Sequence, residues 1–456
     1  MQLTVAHPVV LAAAEHIAPR SQMGFSLGWH IVLACFGVGM PAIVLWAEWR
    51  GQRTGDPTYQ LLARRWARVL GVLFAVGAVS GTILSFEMGV LWSGLMDHYG
   101  SVIGLPFTIE GFAFFIEAIF LGIYLYGWDR LSPRAHLLSG VPILLAGVLS
   151  AFFVVTANAW MNSPQGFTVH DGTVTSTDPW AAMFNAATWP ETTHMLLAAF
   201  MVTGFGAASV YAVAMLRGRT DAYHRLGLRI PLAMGAVAAP LQVIVGDWAT
   251  RYVARDQPSK LAALEGLFPS GGHAPLSLGG IVVDGRLRGA IEIPDGLSLL
   301  LHFRPDGHVT GLDAVPASLR PPATIVHLAF DLMVGVGFAL VLLAAWFGWS
   351  MWRRRREPAG RWFLRFVAVS GIASVAAMES GWIVTEVGRQ PWIVYGLLKT
   401  SDAVNPSPGI SLGLPLIASV YAVLTVALIV VLRRMTRSRP VPAAPQDDDV
   451  RALEVV

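Results

Sequence analysis

Cysteine and charged residues are both scarce in this chain of 456 residues. The single cysteine, Cys35, lies in an apolar run, which excludes a disulfide framework, a covalent CxxCH cofactor attachment and a cysteine-ligated iron–sulfur cluster. Charged residues make up 13% of the chain, whereas a soluble domain carries about 25%. So little charge excludes an ordinary cytosolic enzyme, a disordered chain and a nucleic-acid binder. Any redox chemistry must rely on cofactors held without covalent bonds.

Long apolar stretches dominate what is present, since 54% of the residues are hydrophobic. A helix needs about 20 mainly apolar residues to cross a bilayer. The chain offers nine such stretches, at roughly 24–48, 68–92, 106–127, 137–160, 191–216, 229–248, 323–352, 363–386 and 410–432. The pattern predicts an all-α polytopic membrane protein of about nine transmembrane helices.

The polar stretch 250–321 divides the chain. It is too charged to span a membrane and contains short β-like pieces such as GGIVVDGRLRGAIEI, so we expect a folded loop on one membrane face. The predicted organisation is transmembrane helices 1–6 in 1–249, the loop in 250–321, transmembrane helices 7–9 in 322–434 and a tail in 435–456.

The distribution of basic residues predicts the orientation, because cytoplasmic segments carry an excess of Lys and Arg. Of the 32 basic residues, 22 lie in the connections after spans one, three, five and seven and in the C-terminal tail. The other ten are Arg20, Arg251, Arg255, Lys260, Arg286, Arg288, Arg304, Arg320, Arg389 and Lys399. We therefore expect the N-terminus and the long loop outside and the C-terminus in the cytoplasm.

Ionisable side chains inside the predicted spans need a reason, because each costs about 2.5–3.5 kcal/mol at the bilayer centre. They are His30, Glu87, Glu110, Glu117, His194, Asp247, Asp331, Glu379 and Glu386. Glu110 and Glu117 are seven residues apart, as are Glu379 and Glu386, so each pair shares one helix face. Such pairs suit stepwise proton transfer, and the alternative is hydrogen bonding between helices.

Histidine and methionine side chains in the spans are candidate iron ligands. His30 and His194 can each serve as a metal or haem ligand, although a lone histidine near a membrane interface is more often structural. The same structural interpretation applies to His327, His273 and His308. Met333 by itself fits core packing, while Met and His together form an axial pair of low-spin haem.

Several motifs resemble subunit I of the cytochrome bd quinol oxidases. The most specific is ESGWIVTEVGRQPW, residues 379–392, which is similar to the E-x-G-W-x-x-x-E-x-G-R-Q-P-W of that family. PFTIEGFAFFIEA followed by LYGWDRL, VVTANAWMNSPQGF, a Q-x-x-x-x-x-x-W-H run ending at His30 and KLAALEG add to it. They follow the family's order along almost the whole chain.

The resemblance implies a nine-span protein with two b-type haems and one d-type haem. His194 and Met333 fall on the positions that ligate the low-spin b haem. His30 and Glu379 fall on the axial positions of the two high-spin haems, and which serves which stays open. Asn158, Trp160 and Arg389 fall on positions beside the high-spin pair.

The resemblance also implies the residues that handle protons. Glu110 and Glu117 match carboxylates near the high-spin haems. Lys260 and Glu265 match a quinol-loop pair that binds and deprotonates a quinol hydroxyl, which needs a base open to water.

Three positions depart from the family pattern. Asp331 replaces an arginine two residues before the methionine ligand, and Val375 replaces a tryptophan four residues before the axial glutamate. FEMGVLW, residues 86–92, replaces F-Q-F-G-T-N-W. These departures bear on the haem potentials and on the electron path between haems.

The resulting interpretation is a multi-pass subunit of the bacterial or archaeal cell membrane that oxidises quinol and reduces O2 to water, generating membrane potential without proton pumping. A second polytopic subunit is implied, and small accessory subunits remain open. Two alternatives are a divergent paralogue with altered haem content and a proton- or cation-coupled transporter, since buried carboxylates also mark transporters.

Overall fold

The computed structural model describes residues 7–171, 173–405, 407 and 409–437, so most of the expected tail 435–456 lies outside the described residues. Within the described part, nine helices are long and apolar enough to cross a membrane. Each contains one predicted span almost entirely. The prediction of an all-α, nine-span membrane protein is therefore confirmed.

The helices of the fold are long spanning helices and a few short helices in the connections between them. The α-helices are α1 (His7–Thr54), α2 (Pro57–Leu91), α3 (Ser93–Gly127), α4 (Pro133–Asn162), α5 (Pro179–Met183), α6 (Thr188–Leu216), α7 (Ala222–Asp256), α8 (Pro258–Leu264), α9 (Gly296–His302), α10 (Ala323–Arg354), α11 (Arg361–Val387), α12 (Thr400–Ala403) and α13 (Gly413–Arg437). Single 3-10 turns occur at Leu312–Ala314, Ala317–Leu319 and Ile410–Leu412.

The spanning helices form two packed groups. Helices α1 to α4 share a core that includes Leu62 and Tyr124. Helices α6, α7, α10 and α11 share a second core around Phe205 and Phe363. Helix α1 also packs against α6, and α13 lies against α1 and α2. The candidate ligands are thus distributed over two neighbouring bundles.

Capping residues mark one end of the bundle. Asp56, Ser132 and Asp221 precede α2, α4 and α7, and each accepts a hydrogen bond from a backbone N–H of the first turn. Such caps satisfy N–H groups that the helix itself leaves free. We call this the capped end, and we call the other end, where residues 257–322 lie, the loop end.

Short antiparallel hairpins make up the strand content. The strands are β1 (Phe167–His170), β2 (Thr173–Thr177), β3 (Leu276–Leu278), β4 (Ile281–Val283), β5 (Arg286–Arg288), β6 (Ile291–Ile293), β7 (Trp392–Val394) and β8 (Leu398–Lys399). They pair as β1–β2, β3–β6, β4–β5 and β7–β8. Strands β3 to β6 confirm the β-like pieces expected in the long loop, whereas β1–β2 and β7–β8 were not predicted.

Several helix ends extend beyond the predicted limits, and those of α7 and α3 matter most for the loop end. Helix α7 continues to Asp256, beyond the expected boundary at 249, and an ion pair of 2.8 Å between Arg251 and Asp247 joins its last turns. Helix α3 begins at Ser93 instead of 106, because Leu95 and Val102 are buried in the loop-end core. The hydropathy of the sequence predicts neither the ion pair in α7 nor the burial of the first turns of α3.

Candidate functional site

His30 in α1 is oriented by a serine of α2. Its Nδ1 lies 2.7 Å from Ser80 Oγ, and the Ser80 hydroxyl donates to the Gly77 carbonyl at 2.9 Å. A hydroxyl has one proton, so Ser80 must accept from His30, and the imidazole proton is on Nδ1. The lone pair of Nε2 is then available for a metal. A second residue that fixes the tautomer in this way is typical of histidine ligands.

His194 and Met333 belong to the second bundle. His194 lies near the start of α6 and its buried Nδ1 has no hydrogen-bond partner. Met333 lies on α10, and both helices pack against α7 and α11. A buried nitrogen without a partner requires an explanation, and a histidine with a thioether is an axial pair of haem iron.

Helix α11 carries two carboxylates with different surroundings. Glu379 has a buried Oε1 without a partner. Glu386 accepts from Asn158 Nδ2 at 2.5 Å and from Arg389 Nη2 at 2.6 Å. The structure thus joins Glu386 to two of the residues expected beside the cofactors, and Glu379 to neither.

A glycine faces the tip of each side chain proposed as an iron ligand. A Cβ built on Gly28 would lie 3.3 Å from Glu379 Oε2, and one on Gly246 would lie 3.5 Å from His194 Cε1. The same construction gives 3.2 Å between Gly81 and His30 Cε1 and 3.1 Å between Gly381 and Met333 Sδ.

These glycines and donor atoms fit a flat metal-containing cofactor. Glycine lets another group approach the backbone closely. Imidazole and thioether are established axial donors to haem iron. The residues present therefore fit haem, with His194, Met333, His30 and a carboxylate of α11 as the candidate ligands.

Glu110 and Glu117 both face α4, as their spacing predicts. Ser150 Oγ of α4 donates to Glu110 Oε1 at 3.0 Å. Glu117 is buried, its Oε1 has no partner, and a Cβ on Gly147 of α4 would lie 3.5 Å from that oxygen. The two carboxylates thus form a polar line between α3 and α4.

This line continues to a buried cluster that sequence reasoning missed. Tyr124, seven residues after Glu117, donates to Glu48 Oε2 at 2.5 Å. His136 Nδ1 lies 2.7 Å from Glu48 Oε1, and its Nε2 lies 2.9 Å from the Tyr124 carbonyl oxygen. Glu48, Tyr124 and His136 thus form a hydrogen-bonded cluster that joins α1, α3 and α4. The regular interval of seven residues between positions 110, 117 and 124 is the sequence pattern that could have indicated this cluster.

Lys260 lies in a buried polar cluster at the loop end. It is 3% exposed, and its Nζ lies 3.4 Å from Asn162 Oδ1. Asn162 Nδ2 in turn donates to Glu191 at 2.9 Å. Burial lowers the pKa of Lys260 to about 8, and the nearby Arg389 lowers it further, while Glu191 opposes both. Lys260 can therefore exchange a proton near neutral pH.

Glu265 lies in a separate environment. It is 2% exposed, and neither of its carboxylate oxygens has a hydrogen-bond partner. Burial raises its pKa to about 8, with a smaller contribution from Asp331. The expectation that this loop pair is open to water is wrong, because the loop folds back onto α10 and α11 and buries both residues.

Other polar residues singled out in the spans have structural partners. Glu87 accepts from Gln22 at 2.8 Å and from Ser26 at 3.0 Å. Trp160 donates to the Gln165 carbonyl, and its ring packs against Tyr99 and Phe167. Glu87 and Trp160 therefore have structural partners, and the place of Trp160 beside the high-spin haems stays a prediction.

The fold and the site define a multi-pass membrane protein whose buried imidazole, thioether and carboxylate groups suit haem-based redox chemistry. The sequence model of "Cytochrome bd terminal oxidase subunit I" matches residues 18–440. The chain belongs to this family.

Known proteins agree with this assignment. A Bacillus subtilis protein with the provisional name cytochrome bd menaquinol oxidase subunit I is 38% identical over 446 residues, covering 96% of this chain and 99% of that protein. The cytochrome bd-II ubiquinol oxidase subunit 1 of Escherichia coli is 26% identical over 499 residues, covering 92% and 96%. The bd oxidase structure from Geobacillus thermodenitrificans has a TM-score of 0.88 and 39% identity, covering 93% and 99%.

Family membership establishes the broad activity. The chain is the first subunit of a membrane oxidoreductase that uses quinol and O2, with haem cofactors. A second subunit is implied. Membership favours this activity over the transporter alternative.

Proposed function

We propose that this chain oxidises quinol at the loop end and reduces O2 to water inside the helix bundle. The observation that carries the proposal is that each candidate ligand tip faces a glycine. Four such pairs, on helices α1, α2, α6, α7, α10 and α11, bring each candidate iron-binding side chain close to the backbone of a neighbouring helix.

The proposed cofactors are two b-type haems and one d-type haem. His194 and Met333 hold the low-spin b haem, and His30 holds one of the high-spin haems through Nε2. When bound, the haems carry electrons from quinol to oxygen. Ser80 keeps the His30 ring in the orientation and tautomer that this requires.

We assign the remaining iron-binding position to Glu379. Its buried Oε1 has no hydrogen-bond partner, and its Oε2 faces Gly28. Both oxygens of Glu386 already accept hydrogen bonds, from Asn158 and Arg389. The Val375 departure from the family pattern therefore stands.

Proton supply to the oxygen site is assigned to the α3 carboxylates. Glu117 and Glu110 hold protons in turn between α3 and α4, with the Ser150 hydroxyl bonded to Glu110. Asp221, Ser132 and Asp56 mark the capped end from which these protons enter, and the basic residues that collect there favour a cytoplasmic location. Consumption of cytoplasmic protons builds membrane potential without pumping.

Quinol oxidation is assigned to Lys260 and Glu265 on opposite sides of α8. Glu265 accepts a hydroxyl proton of quinol, and Lys260 holds an oxygen of the ring by hydrogen bonding. Both pKa values are near 8, so each group can change protonation state during turnover. Their burial requires the loop to open for substrate entry.

The ligand assignment is tested by reduced-minus-oxidised spectra of purified variants. We expect His194→Ala and Met333→Leu to lose the low-spin haem signal, and His30→Ala to retain it. His98→Ala, an exposed histidine, is the matched control. Retention of the low-spin signal in the first two variants contradicts the assignment.

The carboxylate assignment is tested by a matched pair of substitutions. We expect Glu379→Gln to lose one high-spin haem and Glu386→Gln to keep all haems. The reverse result moves the ligand role to Glu386.

A further inference from the structure

His327 is a fully buried histidine that the proposed chemistry does not use. It lies on α10, with Nδ1 2.6 Å from the Leu264 carbonyl oxygen and Nε2 2.8 Å from the Gly279 carbonyl oxygen. His327 therefore joins the end of α8 to the turn between β3 and β4.

Asp331 completes this connection one helical turn later. Its Oδ2 lies 3.4 Å from His327 Nε2 and accepts from the Gly279 N–H at 2.6 Å. Gly279 is thus held on its carbonyl side by His327 and on its amide side by Asp331. Gly279 and Gly280 have φ values of 70° and 95°, which glycine adopts without strain. The Asp331 departure from the family pattern has this structural consequence.

Glu265 is the next residue after Leu264, whose carbonyl oxygen is hydrogen-bonded to His327. The peptide between Leu264 and Glu265 is fixed by this bond, and the Glu265 side chain leaves from it into a buried space. Among the described residues, the titratable group that contacts His327 is Asp331 on its own helix, and Asp331 also acts on Glu265 by its charge. The turn Leu278–Ile281 supplies none.

We propose that His327 and Asp331 are positioning residues for Glu265, which clamp the loop to α10 and place the Glu265 carboxylate for quinol. This inference rests on the proposed function, in which Glu265 takes up a hydroxyl proton of quinol: one quinol O–H bond breaks and one carboxyl O–H bond forms. The clamp closes the loop end over the substrate and fixes the charges around Glu265.

The two residues of the clamp act on Glu265 in different ways. The Asp331 carboxylate disfavours a negative Glu265, whereas His327 holds the backbone from which Glu265 leaves. In Asp331→Asn the amide oxygen still accepts from Gly279, but the like charge is gone. In His327→Gln at least one carbonyl contact is lost and a side chain of similar length remains.

The test measures O2 consumption of the purified oxidase against quinol concentration from pH 5.5 to 9. We expect His327→Gln to raise the KM for quinol about ten-fold, the factor carried by one lost hydrogen bond. The acid limb of kcat/KM should move to lower pH in Asp331→Asn and stay in place in His327→Gln. The haem spectra should match the wild type, and His308→Gln, an exposed loop histidine, should change nothing.

Two outcomes overturn the inference. An acid limb that stays in place in Asp331→Asn together with an unchanged KM in His327→Gln, or loss of the low-spin haem in both variants, would show that the pair does not act on Glu265. Glu265→Gln separates this failure from failure of the proposed function. If Glu265→Gln leaves quinol kinetics unchanged, the role of Glu265 itself is wrong.

Discussion

Gly381→Ala is the substitution that tests the low-spin site most locally. The new Cβ would lie 3.1 Å from Met333 Sδ, whereas carbon contacts are comfortable at about 3.5–4.0 Å. The sulfur must retreat by about 0.5 Å. Metal–ligand distances tolerate deviations of about 0.2 Å, so this movement weakens an axial bond from Met333.

The size of the effect follows from packing. Overpacking costs about 1–3 kcal/mol, and the flexibility of methionine puts this contact near the lower limit. A cost of about 1.4 kcal/mol corresponds to a tenfold loss of the six-coordinate low-spin form. We expect a clear decrease of the low-spin signal in the reduced-minus-oxidised spectrum, with the high-spin signals retained.

Gly335→Ala on α10 is the matched control, because nothing lies within 4 Å of its Cβ position. We expect it to leave the spectrum unchanged. Gly246→Ala, with a contact of 3.5 Å to His194, should be intermediate. A Gly381→Ala spectrum identical to that of Gly335→Ala would refute the reasoning.

Three further predictions concern other parts of the molecule. His136→Ala removes one hydrogen-bond partner of the buried Glu48 and should lower the free energy of unfolding by about 1–3 kcal/mol, measured by thermal unfolding in detergent against His98→Ala. Because Glu265 must be ionised to accept a proton and its pKa is about 8, kcat/KM should fall as the pH drops below 8, and Glu265→Gln should abolish that limb. Lys260, with a pKa of about 8, should lose its charge above that pH, so Lys260→Met should remove an alkaline limb.

The spans were predictable because hydropathy is a local property. Each of the nine helices contains a stretch of about 20 mainly apolar residues, which hydropathy detects. How far each helix extends beyond that stretch depends on contacts with other parts of the chain. Helix α3 starts at Ser93 because the segment that follows packs into the loop-end core. That core forms only after β7–β8 and α4 come together.

Helical spacing predicted part of the candidate site. The interval of seven residues placed Glu110 and Glu117 on one face, and the structure confirms that both face α4. The same interval leads to Tyr124, whose partners Glu48 and His136 come from two other helices. Sequence spacing along one helix cannot reveal partners from its neighbours.

The sequence does not predict that the loop segment with Lys260 and Glu265 is buried. KLAALEG contains a lysine and a glutamate in a polar segment, which favours exposure. The structure buries both through contacts of Leu261, Leu264 and Val326 in one core. His327 was assigned a structural role, and its partners proved to be backbone carbonyls of the loop, which no side-chain pattern encodes.

The most direct test of the central claim is haem extraction from the purified wild-type oxidase, with quantification against the protein. The account predicts three haems per chain, two protohaems and one chlorin, with a chlorin band in the red of the reduced spectrum. Protein isolated without haem from haem-replete cells would contradict the account. Three protohaems and no chlorin would contradict the d-type assignment alone.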